Sequence, residues 1–70
     1  MDKQMLKKFG EAILKTRKKR NMTQEQLADA AGIERSYMGT IERGERNPTF
    51  LKVYKIAKAL KVSAGELLPF

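Results

Sequence analysis

Seventy residues with no cysteine and no histidine leave room for one domain with a small core. They also exclude disulfides, thiolate metal sites and the usual proton shuttle. Fifteen basic against eight acidic residues give a formal charge of +7, which suits a polyanionic partner but does not choose between nucleic acid and an anionic membrane surface. No apolar run is long enough to span a bilayer, and Met1-Asp2-Lys3-Gln4 does not read as a secretory signal, so a cytoplasmic protein is expected.

The hydrophobic spacing predicts five helices and no strand. The first runs from about Lys3 to Lys19, where Leu6, Phe9, Ile13 and Arg17 recur at spacings of 3, 4 and 4 along one face. Asp2 is placed to cap its start, and Arg17-Lys18-Lys19-Arg20 lies at the end where cations suit the helix dipole. Thr23 and Gln26 have the spacing of a capping box, so the second helix begins after Thr23. It ends in a turn at Gly32, where a side chain would oppose a left-handed conformation. The third helix covers roughly Glu34 to Arg43 and stops at Gly44. The loop Gly44-Glu45-Arg46-Asn47-Pro48 leads to Thr49, the expected cap of a fourth helix that turns Phe50, Val53, Ile56, Ala57 and Leu60 inward. Ser63 and Glu66 make a second capping box, opening a short fifth helix that ends near Leu68. The fold class is all-α, one compact five-helix domain over residues 1–70.

Residues 24–43 carry the strongest signal. Leu27, Ala28, Ala31, Ile33, Met38 and Ile41 supply the inner faces of two short helices joined at Gly32, and Ala28 is small enough for a close crossing. The face left over on the third helix is Arg35, Ser36, Gly39 and Thr40, since spacings of three and four bring side chains together. Such a helix pair resembles the helix-turn-helix of the Cro/cI-type, or XRE, family, and the likeness runs from about Phe9 to Leu68. The flanking pattern sharpens it: Arg17 seven residues before the motif, Ile41-Glu42-Arg43-Gly44 closing it, Asn47-Pro48 after it, and Ala57-Lys58-Ala59-Leu60 near the end. The resemblance implies a lambda-repressor-like fold and a sequence-specific, double-stranded DNA-binding regulator of transcription, acting as repressor or activator. Within the family, the single-domain format and the runs Arg35-Ser36-Tyr37 and Ile41 to Pro48 are similar to controller proteins of restriction–modification systems. Small phage repressors and antitoxins share much of this pattern.

With the N-terminal end of the third helix in the major groove, Arg35 is the candidate for bidentate bonds to a guanine edge. Ser36 and Thr40 are candidates for a base or phosphate, and the Thr40 methyl suits a thymine. Gly39 either admits the DNA backbone closely or avoids a clash inside the protein. The resemblance implies backbone anchoring through Gln24, at the head of the second helix, and through Arg43, Arg46 and Asn47. Tyr37 either gives its hydroxyl to a phosphate or packs on the loop. A partly buried ion pair between Arg17 and Glu42 is implied by relatives that carry both residues, and Arg17 falls on the inward face of the first helix. Acidic residues at the positions of Glu25 and Asp29 touch RNA polymerase in some activating relatives; a solvated face is the blander alternative.

Tyr54, Val62, Leu67, Leu68 and Phe70 are the candidates for a homodimer interface, because relatives often pair through the last two helices. A C2 dimer would set two recognition helices about one DNA turn apart, roughly 34 Å, on a palindromic operator. The competing reading is a protein-interaction module on the same fold, such as an antitoxin or a polymerase-contacting adaptor. An enzyme is not expected, since no paired acids or Walker-type loop accompany the missing histidine and cysteine. Neither a cofactor, a metal nor a small-molecule ligand is expected.

Overall fold

The computed structural model describes residues 1–70, and four of its five helices begin where a polar side chain takes up a free N–H. The Asp2 carboxylate accepts from Met5 N at 2.8 Å to start α1, Lys3–Lys19. Thr23 and Gln26 exchange hydrogen bonds of 2.8 and 3.0 Å at the head of α2, Gln24–Ala31. Thr49 Oγ1 accepts from Lys52 N at 3.2 Å to start α4, Phe50–Leu60. Glu66 returns to accept Ser63 N–H at 2.8 Å at α5, Ala64–Leu67. The exception is α3, Arg35–Glu42, whose N-cap residue Glu34 makes no capping bond.

The four longer helices all end in one way. A residue one or two positions past each end is left-handed, with φ of +56° at Asn21, +68° at Gly32, +74° at Gly44 and +59° at Lys61. The next N–H then reaches back five residues: Met22 to Arg17 O, Ile33 to Ala28 O, Glu45 to Thr40 O and Val62 to Ala57 O, all between 2.9 and 3.1 Å. This is the Schellman arrangement, which satisfies the orphan carbonyls of a helix end and folds the chain back sharply. Glycine and asparagine tolerate that conformation, whereas at Lys61 a Cβ opposes it.

Short helices with abrupt ends pack around one core, in a molecule measuring 27 × 22 × 20 Å. α1 lies across α3 and α5, α2 against α3 and α4, and α4 against α5. Phe9, Ile13, Leu27, Met38, Ile41, Ile56, Leu60 and Leu67 are fully buried there, each worth roughly 1.5–3 kcal/mol relative to exposure before the entropy of ordering the chain is counted. No helix is long and apolar enough to cross a membrane.

Phe50 and Leu67 lie where the sequence pattern does not place them. Phe50 does not turn inward with Val53, Ile56, Ala57 and Leu60; it is 87% exposed. Side chains on a helix lean toward its N-terminus, so the first residue of α4 projects past the end of the packed face, where no other helix meets it. Leu67 is not available to a partner, because it is 1% exposed. The single turn of α5 presses it into the chain's own core, where α1 and α4 both meet that turn.

Candidate nucleic-acid interface

The Gly32 turn sets α3 at the surface with Met38 and Ile41 toward the core, leaving Arg35 and Ser36 exposed on its first turn. Ser36 Oγ donates to the Glu34 carboxylate, an acid at the head of α3 that sequence reading passed over. Thr40 is half-buried, and its hydroxyl donates to the Tyr37 carbonyl at 2.6 Å. That bond occupies the hydroxyl proton and leaves its lone pairs and methyl for an outside group. Gly39 departs from the expected outer face: it is buried, and a Cβ there would lie 3.1 Å from the Arg43 guanidinium and 3.4 Å from Gln24 Oε1. The missing side chain makes room inside the protein for two of the candidate backbone contacts.

Glu42, at the last turn of α3, ties three elements together. Arg17 Nε and Nη2 donate to its carboxylate at 2.8 and 3.1 Å, and Gln24 Nε2 donates at 3.0 Å. Arg17 Nη1 also donates to the Met22 carbonyl at 3.0 Å. The side chains of Arg17 and Glu42 are 11% and 5% exposed, and no buried polar side-chain atom lacks a partner. A carboxylate that accepts three donors at this depth holds the end of α3, the end of α1 and the head of α2 in one geometry. Gln24 is therefore not free on the surface: one amide hydrogen is committed to Glu42, and the other remains for an outside acceptor.

Beside this network, Arg43 and Glu45 form an exposed bidentate pair at 3.0 and 3.2 Å. The Glu45 hydrogen bond, with its charge, raises the Arg43 pKa above the ordinary value, and the same bond lowers that of Glu45. Arg43 is thus a guanidinium throughout the working range, held by a carboxylate that a phosphate would have to displace. On the other side of the loop, the half-buried Tyr37 ring lies under two cations, with Lys52 Nζ 4.4 Å and the Arg46 guanidinium 5.6 Å from its centroid. The ring packs against the core with Arg46 and Lys52 over its face, while its hydroxyl makes no hydrogen bond within the chain. Lys52 carried no signal in the sequence, because its approach to Tyr37 is made by tertiary packing.

Asn47 is exposed on the same loop, and Glu25 and Asp29 are exposed one turn apart on α2. The remaining dimer candidates lie elsewhere. Tyr54 is 53% and Phe70 78% exposed, and Val62 and Leu68 are half-buried against the core. Gly10 was also missed. A Cβ there would lie 2.6 Å from the Ile41 carbonyl oxygen and closer still to that of Glu42. A glycine in mid-helix costs about 1 kcal/mol relative to alanine, and that cost was the available signal that α1 meets another backbone here.

A sequence model of the helix-turn-helix family matches residues 13–67. The control protein C.SmaI of Serratia marcescens is 43% identical over 60 residues, covering 86% of this chain and 71% of its own length. The restriction–modification controller protein C.AhdI from Aeromonas hydrophila superposes with a TM-score of 0.88 at 40% identity, over 90% of this chain and 96% of that one. The controller protein C.Esp1396I, solved as a tetramer in complex with its natural 35-base-pair operator, superposes with a TM-score of 0.83 at 39% identity, over 89% and 82% of the two chains.

Proposed function

The chain belongs to the XRE-type helix-turn-helix family of DNA-binding transcription regulators, which are not enzymes, and from that premise we propose that it acts as a homodimer on a palindromic operator, as a controller of restriction–modification type. α3 lies in the major groove with its first turn leading. Arg35 reads guanine through its two-pronged guanidinium, and Ser36 and Thr40 read a neighbouring base. Gln24, Arg43, Arg46 and Asn47 hold phosphates on either side, with Tyr37 shaping the loop. The observation that carries this reading is the exposed first turn of α3, reduced to Arg35 and Ser36 and flanked by cations on the loop that follows.

The dimer forms through the outer face of α4 and the C-terminal tail. Phe50, Leu51 and Tyr54 share one side of α4 and are all exposed, and Phe70 adds a fourth large apolar side chain. Exposed apolar side chains gathered on one side are costly to leave in water and mark association surfaces. With Leu67 assigned to the core, Val62 and Leu68 form the half-buried rim of this surface. The test is the stoichiometry on an operator selected from random sequence. Two copies per palindrome are expected for the wild type, with Tyr54→Ser/Phe70→Ser reduced to weak single-copy binding. One wild-type copy per symmetric site would contradict the dimer.

A further inference from the structure

A groove of about 670 Å³ opens between the first turns of α1 and the loop after α3. Lys3 and Lys7 line it from α1, and Arg43, Gly44, Glu45 and Asn47 from the loop. The two walls are in close contact: a Cβ on Gly44 would lie 2.9 Å from Lys7 Cα and Cγ. Arg43 and Glu45 neutralise one another at 3.0 Å. Neither lysine has an acidic partner, since the chain's only ion pairs are Arg17–Glu42 and Arg43–Glu45. The unpaired charge in the groove is therefore that of Lys3 and Lys7.

We propose that this groove is a further phosphate subsite, in which Lys3 and Lys7 hold a phosphodiester of the operator beyond the contacts of the α3–α4 loop. The inference rests on the reading of Arg43 and Asn47 as DNA-backbone contacts. Both line the groove, so a strand that passes them is led directly to the two lysines. Two cations on an open cleft floored by Leu6, with no aromatic ring to stack a base and no buried donor to read one, recognise charge and not sequence. The subsite lengthens the DNA footprint and strengthens binding without altering the consensus.

The experiment measures affinity for the selected operator against salt concentration, with wild type, Lys3→Gln/Lys7→Gln and a control of equal charge change, Lys15→Gln/Lys19→Gln. The control lysines line a different groove, between α1 and α5. Each lost phosphate contact lowers the slope of log K against log[salt] by about 0.9. The groove variant is expected to lose one to two such contacts, weakening binding roughly tenfold to fiftyfold at about 0.1 M salt, while the control changes less than half as much. Replacing the flanking phosphates one at a time by methylphosphonate should reveal a position that weakens the wild type and leaves the groove variant unaffected. Equal losses in the two variants, or no such position, would overturn the subsite and leave the DNA-binding reading intact. If the wild type binds no duplex with a measurable salt slope, that reading falls and takes the subsite with it.

Discussion

Gly10→Ala is expected to lower the thermal midpoint by about 10–15 °C, although alanine is the better helix former. The added carbon meets the Ile41 and Glu42 carbonyls, which belong to the backbone of α3 and cannot rotate aside. α1 must back away, loosening Phe9 and Ile13 in the core and stretching the reach of Arg17 to Glu42. Overpacking of this kind costs about 3 kcal/mol, from which about 1 kcal/mol of helix propensity is recovered. A net loss near 2 kcal/mol takes a large share of the roughly 3–5 kcal/mol that a core of this size supplies, and each kcal/mol moves the midpoint by about 4–8 °C. Gly39→Ala is the internal control. Its Cβ meets only the movable ends of Arg43 and Gln24, so its midpoint should stay within a few degrees of wild type. A midpoint for Gly10→Ala at or above that of wild type, as at a solvent-facing helical glycine, would contradict the close crossing.

The second large effect is expected at the Arg17–Glu42 pair. Its two side chains are nearly excluded from solvent, so removing one partner strands a buried charge at a cost of about 3–5 kcal/mol. Glu42→Gln leaves the Arg17 guanidinium with only the Met22 carbonyl as a strong acceptor. Arg17→Met leaves the carboxylate with only the Gln24 amide. The double variant removes both charges, and its loss should fall well short of the sum of the two, because contacting residues couple by up to about 3 kcal/mol. Thermal melts of the four proteins, run in a stabilising osmolyte so that each single variant has a folded baseline, measure this directly. Simple additivity would contradict the pair.

Much of the fold was legible because its signals are local. The caps at Asp2, Thr23 and Thr49, the Ser63–Glu66 box and the glycine stops at 32 and 44 each act within a few residues of themselves. The starts of α1, α2 and α4 followed from them. Asn21 and Lys61 end helices by the same backbone geometry, but side chains that seldom take it conceal the stop. What sequence reading missed depends on where a distant element lies. Periodicity put Phe50 on the inward stripe of α4 without showing that the packed face begins only one turn later, at Val53. It counted Leu67 as surplus apolar surface without showing the slot that receives it.

In the candidate interface, Arg35 and Ser36 were read as an exposed pair because a short amphipathic helix has only one face to leave outside. Arg17 was read as inward from its register with Leu6, Phe9 and Ile13, and Glu42 entered as its partner through the family resemblance. The third member, Gln24, and the space left for it by Gly39 are products of the angle between α2 and α3. The placing of Lys52 and Arg46 over Tyr37 depends instead on how α4 and the loop before it return to α3. Those contacts turn separate candidates into a single preorganised surface, and preorganisation is a property of the packed chain.

Whether α3 reads DNA sequence through Arg35 is measured by selecting bound duplexes from a random library, at fixed salt, with wild-type and Arg35→Ala protein. The expected result is a palindromic consensus for the wild type, with guanine preference at one position of each half-site relaxed in the variant at a cost of about 1–3 kcal/mol. A consensus that keeps that guanine in the variant, or binding with no consensus at all, would contradict it.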